Sequence, residues 1–371
     1  MPTETVDEAV ELPLEGVRVV ELAGGIAAGF TTRELAGFGA EVVRVEGLAE
    51  GPPLTADEET YLAAGKRRVD ASAVDLRALV LAADILVEEG PPGRLDRLGL
   101  MPRELRAEKP ALVITSISPF GQTGPYRDYK ATNIVSFAMG GYMMLTGNFD
   151  REPLLTGGSQ AQYFGGLHAF AATATAYLGA LRHGEGDWLD LSLQEAAAGS
   201  LELYGPATAY GGPIMPRLGN QTRAEWGIYP CVDGYAGIFT LQRQVPNLFR
   251  AMDDPELTDG PYLDSTYRLE HPEELAAKIY VFTLQHTMAE MIDIGRTFKV
   301  PIGVAVTPSD LLEAASLAER DFWDDVETSE GIARVPGRPF AGLGWRHLDR
   351  LHQPGEDTNA VVQEWLGGKA S

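Results

Sequence analysis

Cysteine, positive charge and long apolar runs are all scarce in this chain of 371 residues. The single cysteine, Cys231, excludes a disulfide framework and a multi-cysteine zinc site. No apolar run approaches the roughly 20 residues that span a bilayer. The acidic first fifteen residues lack the basic and then apolar order of a secretory signal. We therefore expect a cytoplasmic protein that does not bind membranes.

Basic residues are outnumbered 30 to 53 by acidic ones, which gives a formal net charge of −23. Such a field repels nucleic acid and anionic membranes, so an anionic ligand would need a local basic pocket. The densest basic cluster is Lys66-Arg67-Arg68, and Arg94 and Arg97 follow the turn at 91–93. The cluster is either a solvated charge run or a phosphate clamp.

Several catalytic and binding motifs are missing as well. None of the six histidines pairs with another at HxH or HxxxH spacing, so we expect no metal. There is no GxSxG elbow and no complete GxGxxG or GxxxxGK[ST] loop. The glycine-rich turn 24–29 could offer free helix N–H groups to a phosphate, although such a turn alone is typical of any tight βα connection. We interpret Cys231 as a packing residue.

Short apolar strands alternate with helices over the first half of the chain. The patterns predict strands at 17–22, 41–46, 85–87, 111–117 and 188–193 and helices at 30–38, 75–83 and 162–181. Alternation of this kind predicts an α/β fold with parallel strands. The helix at 162–181 has an apolar stripe made of Leu167, Phe170, Ala174, Leu178 and Leu181.

The sequence changes character after about residue 205. Residues 205–220 are rich in glycine and proline and read as a linker or an active-site loop. A hairpin is predicted around Asp233-Gly234, followed by helices at 244–252, 271–279, 283–297, 309–319 and 359–366. From periodicity alone, the chain is an α/β protein, enzyme-like, that could bind a phosphorylated ligand.

Blocks of sequence along nearly the whole chain resemble the family III CoA-transferases, the group of formyl-CoA transferase, carnitine CoA-transferase and α-methylacyl-CoA racemase. The matching blocks are 14–22, 35–46, ADILVEEGPPG at 83–93, RLG at 97–99, SISPFGQTGPY at 116–126, 184–193 and 354–358. The 116–126 block is the most specific of these.

The resemblance implies a doubly wound, Rossmann-like large domain made from both chain ends, 1–205 and 325–371. Residues 206–324 would form a linker and a smaller α+β domain, and two subunits would interlock as a dimer. It further implies coenzyme A or an acyl-CoA as substrate, with no metal, and a small carboxylic acid as the second substrate. The positions that correspond to CoA contacts are Ile26, Ala27, Lys66, Glu89, Gly90 and Arg97.

The catalytic positions depart from the family pattern. Transferases of the family use an aspartate in a D-x-x-x-G-x-x-A helix start, whose carboxylate attacks the thioester to form a mixed anhydride. Residues 162–169 match that pattern with Gln162 in place of the aspartate. The racemase branch uses a histidine followed by an aspartate, and the corresponding positions are Thr132 and Asn133. Gln162 is either a polar residue at a helix start or an amide that orients a thioester carbonyl.

Three functional classes follow from the resemblance and its departures. The chain could be a CoA-transferase with altered chemistry, or a non-catalytic subunit paired with an aspartate-bearing homologue. It could also be a CoA-thioester lyase, dehydratase or isomerase, whose candidate bases are His168, Glu202 and Tyr142. A homodimer is expected in the first case and a heterodimer in the second. The acyl group would be selected by the loop at 205–220 and the small domain.

Overall fold

The structure is a computed structural model that describes residues 11–22, 24–48, 50, 53–201, 204–212 and 216–367, with Gln221 and Thr222 described by their backbone only. The chain divides into two compact units. The larger unit takes Met1–Met143, Leu155–Pro213 and Ala315–Ser371, and the smaller takes Met144–Leu154 and Ile214–Ala314. No helix among the described residues is both long and apolar enough to cross a membrane.

A six-stranded sheet forms the centre of the larger unit. Its spatial order is β3-β2-β1-β4-β5-β6 and every pairing is parallel. The strands are β1 Arg18–Leu22, β2 Glu41–Glu46, β3 Arg67–Asp70, β4 Ile85–Glu89, β5 Val113–Ser118 and β6 Trp188–Ser192. The predicted α/β class and its parallel sheet are confirmed.

The order of the strands reverses between β1 and β4. The chain moves from β1 outward to β2 and β3, and then returns to pair β4 with the other side of β1. Connections on either side of such a point leave the sheet in opposite directions, which opens a crevice at the carboxyl ends of the two strands. In register, Leu22 of β1 lies beside Glu88 of β4, so Glu89 ends β4 at this crevice.

Helices cover both faces of this sheet. The helices described in the larger unit are α1 Ile26–Gly37, α2 Ala56–Ala63, α3 Leu76–Ala82, α4 Arg94–Arg97, α5 Pro102–Glu108, α6 Asn133–Met139, α7 Gln160–His183, α8 Leu193–Gly199, α9 Tyr204–Ala209, α16 Ala315–Ala318 and α17 Thr358–Leu366. A hairpin, β11 Trp323–Thr328 with β12 Gly331–Pro336, completes the unit.

Alternate side chains of the strands enter two separate apolar cores, as a period of two requires. Val19 packs with α1 and α7 residues such as Leu35 and Ala169 on one face. Val20 packs with Leu79 of α3 and other residues of the second cluster on the opposite face. Because both faces are covered, consecutive residues of the inner strands are apolar, as in Val19-Val20 of β1 and Ile85-Leu86-Val87 of β4, and these pairs and triplets made the strands recognisable in the sequence.

Helix α7 buries a different face from its apolar stripe. The buried residues are small, namely Ala161, Gly165, Gly166, Ala169, Thr173 and Ala180. Leu167, Leu178 and Leu181 of the stripe are 53%, 47% and 65% exposed. Phe170 of the stripe packs against the core and stacks on Phe38, but these three leucines do not. The residues that let α7 approach α1 closely are the small ones.

The smaller unit is built on an antiparallel sheet of order β10-β9-β8-β7. Its elements are β7 Gln221–Arg223, β8 Trp226–Pro230, β9 Tyr235–Phe239, α10 Val245–Met252, α11 Pro255–Thr258, α12 Ser265–Glu270, α13 Pro272–Thr283, α14 Met288–Phe298, β10 Ile302–Val304 and α15 Pro308–Leu312. The predicted hairpin around Asp233-Gly234 is present, with Pro230 paired to Tyr235. Cys231 is buried in the core of this unit, as its interpretation as a packing residue required.

Candidate functional site

The crevice at the carboxyl ends of β1 and β4 brings together four of the residues singled out in the sequence. Ile26 and Ala27 form the first turn of α1, while Glu89 and Gly90 end β4. The Oε2 atom of Glu89 accepts the backbone N–H of Ala28 at 2.8 Å, so this carboxyl group caps α1. The turn before α1 needs glycine because a Cβ on Gly24 or Gly25 would collide with Glu89. The glycine-rich turn is thus explained by a close approach within the protein.

Burial raises the pKa of Glu89 to about 7. The N–H groups of Ala28 and Ala27 oppose that shift, while the neighbouring carboxylates of Glu88 and Glu21 add to it. A carboxyl group that is partly protonated near neutral pH repels a phosphate less than an ionised one does. The crevice can therefore hold this acid and still admit an anionic ligand.

Lys66 lies in the core of the larger unit with no exposed surface. Its ammonium group donates to Glu21 Oε2 at 2.8 Å, Gly29 O at 2.8 Å and Thr32 Oγ1 at 2.6 Å. An ammonium group has three N–H donors, and all three have partners here. Burial lowers the pKa of Lys66 to about 8. In this geometry the side chain ties α1 to β1 and has no donor left for a phosphate.

The other members of the basic cluster are also paired within the protein. Arg67 bonds Glu41 and Glu364 at 2.6 Å each, and Arg68 bonds Glu46 at 2.7 Å and Glu59 at 2.5 Å. The cluster 66–68 is therefore neither a solvated charge run nor an open clamp. It forms the edge strand β3 and its buried ion pairs, which the sequence pattern did not indicate.

Glu21 is the buried carboxylate that Lys66 and Arg44 share. Arg44 Nη1 lies 2.8 Å from Glu21 Oε1. Burial alone would raise the pKa of Glu21, but Lys66 and Arg44 outweigh it and lower this pKa to about 2. The carboxylate thus stays ionised. It links Arg44 of β2 and Lys66, just before β3, to β1, the strand that ends at the crevice.

Arg94 joins the segment after β2 to the end of β4 at the same edge of the sheet, and its side chain is buried. Its guanidinium donates to Glu89 O at 3.2 Å and to Leu48 O at 2.7 Å, and it lies 3.5 Å from Glu88 Oε2. Because these acceptors follow β2 and end β4, Arg94 fixes the shape of the crevice from inside.

Arg97 is the predicted contact residue that presents its charge to solvent. Its guanidinium is half exposed and bonds Glu50 at 3.0 Å. Beside it, the Gly93 N–H donates to Gln122 Oε1 at 3.3 Å, so the 83–93 and 116–126 blocks meet here. Arg127, which sequence reasoning missed, follows the second block and reaches the same Gly93 turn. Its position directly after a specific motif was the available signal.

The two catalytic positions of the family pattern meet at the start of α7. Asn133 Oδ1 accepts the backbone N–H of Ala161 at 3.1 Å, and its Nδ2 donates to Gly158 O at 3.3 Å. Gln162, the next residue after Ala161, is half-buried. Asn133 therefore holds the backbone one residue before Gln162, so the two amide residues singled out in the sequence lie close together at the start of α7.

Close packing links this pair to the crevice. Thr31 Oγ1 of α1 donates to Gly166 O of α7 at 3.0 Å. The ring of Phe30 meets that of Tyr163 edge-on, with centroids 5.2 Å apart. A Cβ on Gly166 would stand 2.9 Å from Ala27 O. The first turns of α1 and α7 are therefore neighbours, which places Gln162 near the turn that carries Ile26 and Ala27.

The other candidate bases of the sequence are His168, Tyr142 and Glu202. His168 is exposed, and its Nδ1 lies 2.8 Å from Phe164 O of the same helix. A helix turns about 100° per residue, so six residues put His168 and Gln162 on different faces. Tyr142 packs between Phe137 and Phe164. Glu202 lies outside the described residues.

Within the described ranges there is no group of three or more His, Cys, Asp or Glu side chains that could hold a metal ion. The chemistry available at the site is therefore that of backbone N–H groups, two amides, a buried acid and exposed arginines. This set can bind and orient an anionic, carbonyl-bearing ligand. The described residues at the start of α7 offer no carboxylate nucleophile.

Comparisons with known proteins agree over nearly the whole chain. The model of "CoA-transferase family III" matches residues 14–358. The chain is 32% identical to succinyl-CoA–D-citramalate CoA-transferase of Chloroflexus aurantiacus, over 81% of this chain and 80% of that protein. It is 29% identical to succinyl-CoA:(R)-benzylsuccinate CoA-transferase subunit BbsE of Thauera aromatica, over 94% and 93% respectively.

Solved structures share the fold. A CAIB/BAIF family protein from Brucella suis aligns with a TM-score of 0.85 and 27% identity, over 96% of this chain and all of that one. Rv3272 from Mycobacterium tuberculosis aligns with a TM-score of 0.78 at 21% identity, which is a likeness of fold alone.

Proposed function

The chain belongs to CoA-transferase family III, and we propose that it binds a CoA thioester at the crevice between β1 and β4 and moves CoA between carboxylic acids. The observation that carries this proposal is the convergence of Ile26, Ala27, Glu89 and Gly90 at the point where the strand order reverses. Crevices at such points are where open α/β sheets bind nucleotides.

Each of these residues has a stated part in the proposal. The first turn of α1 and Gly90 provide backbone groups against which the nucleotide lies, and Arg97 offers charge to a phosphate. Glu89 and Arg94 keep the crevice in shape. Lys66 serves as a core ion that holds α1, because its three donors already have acceptors.

Calorimetry with free coenzyme A tests the binding half of this proposal. The purified chain should release heat on titration, and the variant Gly25→Val, which intrudes on Glu89, should bind far more weakly. Gly303→Val, a substitution at a strand glycine of the smaller unit whose Cβ would meet nothing within 4 Å, is the control for the loss of a glycine. Absence of heat with CoA and with several thioesters at millimolar concentration would refute the proposal.

A second candidate function is favoured by the neutral amides at the start of α7. Gln162 cannot form a mixed anhydride, because an amide is a far weaker nucleophile than a carboxylate. One relative is named as a subunit of its transferase. The chain could therefore be the subunit of a heteromeric CoA-transferase in which an aspartate-bearing homologue supplies the nucleophile.

Activity of the chain alone separates the two candidates. The purified protein is incubated with an acyl-CoA donor and a panel of carboxylic acids, and new thioesters are followed by mass spectrometry. Turnover by the chain alone supports the first candidate. Turnover that requires a co-purifying, aspartate-bearing partner supports the second.

The exposed stripe of α7 supports association with a second subunit in either case. Leu167, Leu178 and Leu181 are each about half exposed or more on one long helix. Exposed apolar stripes of this size usually mark contacts between proteins. We expect a dimer by native mass spectrometry, and Leu178→Glu with Leu181→Glu should convert it to monomer, whereas Arg182→Glu should not.

A further inference from the structure

Two exposed guanidinium groups converge on the turn that follows β4. Gly93 precedes α4 with a φ of +74°. A Cβ at this position would stand 3.8 Å from Arg97 Nη1 and 3.8 Å from Arg127 Nη2. The loop that carries Arg127 is held in place by Gln122, whose side chain accepts the Gly93 N–H and whose own N–H donates to Asp190 at 2.9 Å. The two arginines thus face one small space above the turn.

The ion pairs that Arg97 and Arg127 form with nearby acidic side chains neutralise only part of their positive charge. Arg97 bonds Glu50 at 3.0 Å and Pro92 O at 3.3 Å. Arg127 has one ion-pair partner among the described residues, the adjacent Asp128 at 3.8 Å, with the two side chains 44% and 83% exposed. In the described part of the chain, no hydrogen bond satisfies the Arg127 guanidinium.

Two guanidinium groups that share a space repel each other unless an anion lies between them. The chain has 53 acidic residues, and among the described ones Glu50 and Asp128 are those that form ion pairs with the two arginines. A phosphate group suits the space, because its oxygens accept from two guanidinium forks at once.

We propose that Arg97 and Arg127 together bind a phosphate group of the ligand, with Arg127 as the residue that adds affinity for phosphate. Under the proposed function, on which this inference rests, that phosphate belongs to CoA. Glu50 exchanges its bond with Arg97 for water when the phosphate enters. The local positive charge that a protein of net charge −23 needs is then supplied by this pair, since Lys66 is committed to Glu21.

The test compares two ligands and two variants of the full chain by calorimetry. Coenzyme A carries phosphates, whereas pantetheine carries none. Arg127→Gln should bind CoA about tenfold more weakly at low salt, the size of one charge-assisted hydrogen bond. Its affinity should also depend less steeply on salt, because one screened charge pair is gone. Arg182→Gln, with the same change of charge in the last turn of α7, should behave as the wild type.

The affinity for pantetheine should be equal in all three proteins. Gly93→Ala gives an independent variant, since its methyl group enters the shared space and strains a positive φ; it should weaken CoA binding more than pantetheine binding. If Arg127→Gln binds CoA as the wild type does at every salt concentration, or loses pantetheine equally, the proposal is wrong.

A failure of the proposed function would look different. In that case the wild-type chain would bind no CoA, and inorganic pyrophosphate becomes the probe. If pyrophosphate binds the wild type but not Arg127→Gln, the two arginines form a phosphate site whose ligand is not CoA. Pyrophosphate that binds both equally, or neither, would overturn the site as well.

Discussion

The carboxyl edge of β1 and β4 and the first turn of α7 are neighbours that differ sharply in charge. At the edge, Glu21, Lys66, Glu89 and Arg94 are buried or nearly so, and each has defined polar partners. At the start of α7, Gln162 and Asn133 are neutral amides. The first region is a set of charged side chains with partners inside the protein, and the second has amides where the resemblance in sequence led us to expect an aspartate.

This difference separates two tasks that a transferase site normally combines. Under the proposed function, the edge holds the anionic ligand, and the start of α7 is the place from which covalent attack on the thioester would occur. A chain that binds CoA but lacks the nucleophile would be either an enzyme with altered chemistry or one subunit of a heteromeric transferase. The two regions can therefore be perturbed one at a time.

Gln162→Asp should have the largest effect, because it gives the start of α7 a carboxylate. A negative side chain is also favoured in the first turn of a helix. If the edge is intact, the chain alone should gain CoA transfer by at least about a hundredfold, the scale of one catalytic group. Mass spectrometry should detect new thioesters, and hydroxylamine should trap the acyl-enzyme.

Gln162→Asn is the matched control and should gain nothing, because it keeps the amide. No gain with Gln162→Asp, at unchanged affinity for CoA, would mean that the turn lacks more than its nucleophile. The chain would then not be a latent transferase.

Lys66→Met should produce the next largest effect, on the stability of the charged edge. The substitution leaves Glu21 buried with Arg44 as its only cation and removes the donor from Gly29 O. Breaking a buried ion pair from one side costs about 3–5 kcal/mol. Urea denaturation measures the loss. Arg334→Gln, which removes an exposed pair with Asp325, should change the free energy of unfolding far less.

Two glycines of α7 test the packing that makes the regions neighbours. Gly166→Ala places a Cβ 2.9 Å from Ala27 O, so unfolding should become easier by about 1–3 kcal/mol, and CoA binding should weaken. Gly179→Ala meets nothing within 4 Å and should instead stabilise the helix by about 0.5–1 kcal/mol. Equal effects of the two substitutions would show that the contact with α1 does not matter.

Glu89→Gln should have the smallest effect, visible as a change in pH dependence. Burial raises the pKa of Glu89 from 4.5 to about 7, so between these values the folded protein binds more protons than the unfolded chain. The wild type must therefore lose stability as the pH rises across this window. The variant should lack that loss and become the more stable protein above pH 7.

Denaturation curves at several pH values between 5 and 8 provide the measurement. Glu104→Gln, an exposed substitution on α5, should stay parallel to the wild type. If the free energy of unfolding of Glu89→Gln also changes with pH in parallel with that of the wild type, Glu89 does not titrate in this range.

Much of the fold could be predicted from the sequence because its strands are buried on both faces. Short apolar, β-branched segments such as Ile85-Leu86-Val87 of β4 are recognisable as buried strands, and the turns that contain glycine mark the ends of such segments. The strand β3 was missed, since Arg67 and Arg68 hide its character. The prediction for the stripe of α7 was correct for Phe170 and wrong for Leu167, Leu178 and Leu181, because periodicity identifies an apolar face and cannot say what covers it.

The site could be predicted less completely. The family pattern located Gln162 and Asn133, whose proximity through Ala161 became visible only in three dimensions. It also suggested Lys66 as a phosphate ligand. In the structure Lys66 is buried and donates to Glu21 and Thr32, and the sequence does not reveal that these residues lie beside it. Arg127 carried no signal of its own beyond its place after a motif.

Helix α17 adds a constraint on how the protein is made. The carboxylate of Glu364 accepts from Arg67 of β3. Asp357, just before the helix, accepts the backbone N–H of Arg68 in the same strand. The indole N–H of Trp365 donates to Glu41 of β2. These partners lie about three hundred positions apart along the polypeptide. During synthesis on the ribosome, β2 and β3 therefore cannot form these contacts until α17 has been made. We expect the edge of the sheet at β3 to depend most on a chaperone during that interval.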